Sequence, residues 1–182
     1  MRGSIFGIVL LCCMATISHA TLRYASTSGS GSTCSEGSPC SLTTGIGQLV
    51  AGDTLFLRGG TYGITGPIGL SASGSSGNLI KLWNYTGEVP VLDGTNMGTA
   101  FQEIFGVNGS WWHFKGLEMA NAGWISLYIK SASSNNIVEF CNIHHGFRLG
   151  GSGGGLQIET GSNNLILNND LHHHNINGSG SG

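Results

Sequence analysis

Two blocks of this chain repeat one another. The run from Ile129 to His145 reads in parallel with the run from Ile158 to His173 once one gap is allowed. Asn135-Asn136 falls on Asn163-Asn164, Asn142 on Asp170, Ile143 on Leu171, and His144-His145 on His172-His173, at an offset of 28 residues. A weaker copy, Gly116-Leu-Glu-Met119, stands 24 residues before Phe140-Cys-Asn-Ile143. A unit of this size cannot bury an apolar face alone. It must stack on its neighbours, so the repeat points to a solenoid.

The residues between the repeats fit strands rather than helices. Alternating or short apolar runs occur at Thr54–Arg58, Asn78–Asn84, Glu88–Asp93, Glu103–Val107, Trp111–Lys115, Trp124–Ile129, Asn136–Phe140, Gly155–Glu159 and Asn164–Asn168. Clusters of Gly, Ser or Asn separate most of them. Glycine supplies 32 of 182 residues, and only 9% are charged. That excludes a coiled coil and the charge-rich composition of disorder, and the glycines lack the strict period of collagen. The expected fold is all-β, a right-handed parallel β-helix. In it Met119, Ile143 and Leu171 form an inward stack and the paired asparagines form amide ladders at the turns. A β-sandwich is the rival, since its strands also recur at short spacing. One helix is predicted, over residues 41–50, with Leu42, Ile46, Leu49 and Val50 on one face, Ser41 as its cap and Gly52 as its stop. It would cover the first coil.

Residues 1–20 combine Arg2, an apolar run from Ile5 to Ile17 and the small residues of Ser18-His19-Ala20. This is the pattern of a secretory signal peptide cut after Ala20. An uncleaved anchor is the competing reading, but the run is short for a bilayer span. The division is then a signal peptide at 1–20, a lead-in with a capping helix at 21–53, and coils over 54–182. Secretion implies an extracellular protein that leaves the membrane once the signal is cut. In that oxidising compartment Cys34 and Cys40 are expected to pair, while Cys141 reads as a buried small hydrophobe. Asn84, Asn108 and Asn177 each open an Asn-x-Ser/Thr sequon. The net charge of −2 gives no basic footprint for nucleic acid. A monomer is expected.

Three groups are candidates for chemistry. His144, His145, His172 and His173, with Asp170 nearby, would stack one coil apart and could share a transition metal. A polar turn ladder is the plainer reading. Asp170 and Glu159 could pair as carboxylates, although calcium wants six to eight oxygens. Trp111, Trp112 and Trp124, with Tyr62 and Tyr128, could stack on sugars, or simply fill the core. Asp53 and Arg58 read as structural.

The stretch Gly52-Asp-Thr-Leu-Phe-Leu-Arg-Gly-Gly-Thr-Tyr62, with Asn78-Leu-Ile-Lys-Leu82 and Gly87-Glu-Val-Pro-Val-Leu-Asp-Gly94, resembles the N-terminal coils of secreted β-helix proteins. It is most similar to the pectate-lyase-like polysaccharide lyases of family 9, and the run from Gly155 to His173 resembles their middle coils. That resemblance implies an acidic polysaccharide substrate, pectate first. It also implies a calcium ion held by an Asp cluster, and a lysine that abstracts the C5 proton of a uronate before β-elimination. The Asp-Asp-Gly-aromatic-Asp run of that family is absent from this sequence. Lys81, Lys115 and Lys130 match no base position. The reading is therefore the N-terminal fragment of such a lyase, inactive alone. The alternative is a non-catalytic β-helix that binds glycans or builds a structure.

Overall fold

The computed structural model describes residues 19–98, 102–146 and 153–174. The apolar core of the expected signal peptide and the Asn177 sequon lie outside them. After β1 (Leu22–Ala25) and α1 (Leu42–Gly47) come strands in a repeating trio: β2 (Thr54–Leu57), β3 (Gly60–Gly63), β4 (Ile68–Leu70); β5 (Ile80–Asn84), β6 (Pro90–Asp93), β7 (Phe105–Val107); β8 (Trp112–Lys115), β9 (Glu118–Ala120), β10 (Ile125–Ile129). The next coil holds β11 (Ile137–Glu139), β12 (Asn142–His144) and β13 (Gly154–Ile158), and the last described coil holds β14 (Leu165–Leu167) and β15 (Asp170–His172).

The trios stack into three sheets, ordered β1-β2-β5-β8-β11-β14, β4-β7-β10-β13 and β3-β6-β9-β12-β15. Neighbours pair in parallel, coil upon coil. The expected register is present: Asn142 pairs with Asp170, Ile143 with Leu171, His144 with His172, and Met119 with Ile143. A strand in this arrangement meets the same position of the next coil one strand spacing away, so like residues form columns. One column runs Leu55, Leu82, Phe114, Val138 and Ile166. A second runs Tyr62, Leu92, Met119, Ile143 and Leu171. Except at Tyr62 and in the last coil, every member of both columns is fully buried.

Polar corners are satisfied in the same repeating way. Buried Asn136 accepts from Trp112 N through Oδ1 at 2.9 Å and gives its own N and Nδ2 to Asn164 Oδ1 at 3.0 Å. Asn163 Nδ2 donates to Asn135 Oδ1 at 3.3 Å. Asn135 and Asn163 hold left-handed backbone (φ 60° and 58°), and Trp111 occupies the same bend one coil below (φ 65°). Asn enters that region easily, whereas Trp pays for it in strain.

The helix is shorter than expected and ends at Gly47, with Gln48 closing it. Ser41 caps it as predicted, Oγ accepting from Thr44 N at 3.2 Å. Gly45, which weakens the helix by propensity, is what lets it settle on the first coil: a Cβ there would lie 2.8 Å from both Leu55 methyl carbons. The disulfide between Cys34 and Cys40 is formed. Strands β3, β4, β9, β12 and β15 are not among the runs read from sequence. They are three or four residues long, and β3 is bounded by glycine at each end.

Leu82→Ala empties the middle of the first column, where no relaxation from solvent is available. It should lower unfolding free energy by about 3 kcal/mol, within the usual range for buried leucine. A denaturant titration with unchanged slope would report it, and a loss under about 1 kcal/mol would show that the column collapses to fill the gap.

Candidate functional site

The four predicted histidines come together at the ends of β12 and β15. His144 and His172 stack with ring centroids 5.0 Å apart, and His145 and His173 with centroids 5.3 Å apart. Within each coil the two rings are edge to face and their Nδ1 atoms meet, at 2.6 Å for His144 and His145 and in the same way for His172 and His173. His144 Nε2 faces Glu118 Oε1 at 3.1 Å, and His172 Nε2 faces Asn142 Oδ1 at 3.0 Å. Among the described residues no three His, Cys, Asp or Glu side chains group to hold an ion. The inner imidazoles spend both nitrogens on protein partners. Asp170 pairs in register with Asn142 and is exposed.

The other carboxylates are engaged apart from one another. Buried Asp53 accepts from Thr21 N at 2.8 Å and Val50 N at 3.3 Å, with Arg23 Nε at 3.6 Å, which is the turn-stabilising role expected of it. Glu88 takes Arg58 and the amide of Gly59. Its carboxyl is held below the usual range by those contacts, Arg58 first. Glu103 binds Lys130 at 2.5 Å, and Glu139 binds Lys115 at 3.0 Å and His113 at 3.1 Å. Glu159, just past β13, accepts from Ser131 N at 3.1 Å, while Asp170 opens β15 in a different sheet. Calcium wants several carboxylate and carbonyl oxygens converging on one point, and the described residues do not offer that set. Lys81 lies 5.3 Å from the Trp83 ring centroid.

The tryptophans separate. Trp112 is 1% exposed, stacks on Phe114 at 5.9 Å and donates Nε1 to Ala72 O at 2.7 Å. Its place in the core closes it to a sugar. Trp111 is half-buried in its left-handed bend, and Trp124 meets Tyr128 edge to face at 5.5 Å. Tyr62 is buried, its hydroxyl within 3.0 Å of Ala25 O and 2.8 Å of Arg58 O. The aromatic row that does face outward was not singled out from sequence. Tyr24, Phe56 and Trp83 occupy successive coils of the first sheet, with Tyr24 stacked on Phe56 at 5.6 Å and Phe56 edge-on to Trp83 at 6.2 Å. Tyr85 and His113 flank them. Strand parity from Leu55 and Leu82 would have placed these rings outside.

Two hollows accompany the surface. One of about 440 Å³ lies between α1 and strands β3 and β4, its lining including Ser26, Thr27, Ser41 and Thr61 beside Tyr62 and Ile64. Another of about 510 Å³ lies beside Lys115, Glu118, Phe140 and Asn142. Of the two sequons within the described residues, Asn108 is exposed. Asn84 gives Nδ2 to Tyr85 O and Glu88 O and packs under Gly116, where a Cβ would fall 2.2 Å from its Oδ1. That amide is committed to the fold.

The family model described as "Pel9A-like, right handed beta helix region" matches residues 23–182. The chain is 37% identical over 140 residues to a pectate lyase L of Paenibacillus polymyxa (strain SC2), covering 72% of this chain and 30% of that protein. It is 30% identical over 142 residues to pectate lyase PEL9 of Emericella nidulans, covering 70% and 32%. The crystal structure of pectate lyase Pel9A superposes with a TM-score of 0.67 at 24% identity, over 87% of this chain and 41% of that one. A rhamnogalacturonan lyase gives 0.59 at 20% identity, over 80% and 40%. The structural likenesses bear on fold. This chain spans less than two fifths of the length of the relatives it matches.

Two groups have consequences in solution. Burial pushes the Cys141 thiol up to about 11, so native protein at neutral pH should resist iodoacetamide and unfolded protein should react. His113 faces Glu139, Lys115, Lys81 and the Trp83 ring, and desolvation holds it below its ordinary value despite the carboxylate. The unfolded chain then binds this proton more readily, so stability falls as pH drops through about 6.5, the unfolded histidine value. His113→Gln should flatten that part of the curve in denaturant titrations between about pH 7 and 5.5. An unchanged slope would assign it elsewhere.

Proposed function

The chain belongs to the Pel9A-like right-handed β-helix family, and we propose that it is the N-terminal part of a secreted polysaccharide lyase that cleaves uronate chains, pectate first, by β-elimination. The observation that carries this reading is the state of the last described coil. Ile166 and Leu171 continue the two inward columns, yet they are 36% and 43% exposed. Earlier members of the same columns from Leu82 to Ile143 are at 0%. Covering such a face is the work of a further coil. The length of the relatives supports several more.

On this reading the described coils supply the scaffold and the flank of a groove, and the reacting centre with its calcium lies in coils beyond them. The short chain alone then has no lyase activity. Extracellular placement follows from the signal-like leader and fits the disulfide between Cys34 and Cys40. Asn108 is the glycan site that the fold leaves open. The protein acts as a monomer on the polysaccharide, without nucleic acid.

A second reading has its own support. The outward row Tyr24, Phe56 and Trp83, one ring per coil and flanked by Arg58 and Lys81, suits a glycan-binding β-helix without catalysis.

One experiment separates them. The 182-residue chain and the product of the complete transcript are incubated with polygalacturonate and calcium, and unsaturated uronate is followed by ultraviolet absorbance. The lyase reading expects sustained growth from the longer product only. Growth from the short chain would overturn its inactivity. A transcript that stops after Gly182, with polysaccharide retained but not cut, would establish the binding reading.

A further inference from the structure

We propose that His145 and His173 form a two-histidine clamp for a divalent transition-metal ion, built by two imidazole relays one coil apart. The site does not depend on the lyase reading.

The argument begins at Glu118. A carboxylate only accepts, so His144 must place its hydrogen on Nε2 toward Glu118 Oε1. A neutral imidazole then has a bare Nδ1. That atom lies 2.6 Å from His145 Nδ1, which must be the donor. The outer ring is left with its lone pair on Nε2. The same sequence runs one coil further: His172 Nε2 gives its hydrogen to Asn142 Oδ1 at 3.0 Å, His172 Nδ1 accepts from His173, and His173 Nε2 is bare.

Neither His145 nor His173 has a protein partner at Nε2 among the described residues, and neither atom is sealed from solvent. The two outer rings are parallel within 7°, with centroids 5.3 Å apart. Both are held through Nδ1 with Nε2 outward, and an anchor at the second nitrogen is the usual companion of a metal-binding imidazole. With metal–nitrogen bonds of about 2.1 Å, two ligand nitrogens stand roughly 3 Å apart, so both rings must turn out of their parallel stack for their in-plane lone pairs to meet on one ion. His173, exposed on the last described coil, can supply that movement.

The backbone gives independent support. His145 and His173 hold left-handed φ values of 55° and 53°, and the corresponding bend one coil below is Asn121 at 57°. Asn is the natural occupant of that conformation. Histidine, like Asn, is enriched in that conformation, and in register it sets both rings on the same corner of successive coils.

Two imidazoles leave the remaining coordination positions for water or an oxygen donor. The ligand type selects copper, nickel or zinc, in the affinity order Cu²⁺ above Ni²⁺ and Zn²⁺, and not calcium.

The test is titration of the purified chain with Cu²⁺, Ni²⁺, Zn²⁺ and Ca²⁺ by calorimetry, with the Cu²⁺ complex read by electron paramagnetic resonance. One ion per chain with nitrogen hyperfine structure is expected, and no calcium heat. His145→Ala and His173→Ala should each weaken binding at least tenfold. Glu118→Gln should weaken it about tenfold by loosening the relay, in line with the loss from an outer-shell partner. His113→Gln should leave binding unchanged, and circular dichroism establishes that each variant is folded. Binding that survives both outer-histidine variants, or that follows His113, would overturn the proposal, as would the absence of saturable binding by any of the three transition metals.

Discussion

Every feature of this molecule rests on the parallel ladder between coils. Its backbone hydrogen bonds fix which residue of one coil lies over which residue of the next. Once that register is set, an apolar residue at an inward position is buried only if its counterparts above and below are apolar too. Leu82 lies between Leu55 and Phe114, and Met119 between Leu92 and Ile143. The same rule acts on polar groups. Asn136 is buried without loss because Asn164 arrives in register to accept from it, and a single asparagine at that depth would be left with unmet donors.

The sequence disclosed this architecture best where the ladder is most regular. The block ending at His145 and the block ending at His173 align with a single gap because both coils have tight corners and no insertion between β11 and β12. The earlier coils did not advertise themselves in this way. The run between β6 and β7 is long, so the counterpart of Ile68 on β4 is Phe105 on β7, far beyond the spacing of the later coils. Short strands such as Gly60–Gly63 carry almost no pattern of their own and are held as strands by their neighbours. The helix shows a related effect, since Gly45 opposes helix formation locally and is required by the contact with Leu55.

The candidate site was legible in part. The repeat placed the four imidazoles in two stacked pairs, as the sequence suggested. What sequence could not supply was the direction of each ring nitrogen, which depends on Glu118 and Asn142 from neighbouring strands. That detail leaves the two outer rings, His145 and His173, with Nε2 unpartnered among the described residues. The tryptophans show the opposite limit: adjacency at Trp111-Trp112 said that the two rings diverge, but not that Trp112 would lie in the core beneath Ala72.

The two ends of the stack are not equivalent. At one end α1 seats on Leu55 and Asp53 gathers Thr21, Val50 and Arg23, while at the other the inward columns open to water. In a structure whose units touch only their neighbours, cohesion is inherited coil by coil from the closed end. Fluctuation therefore has a direction. Among the described coils, cohesion grades with distance from the helix, so the worth of a contact depends on how many coils stand between it and that cap.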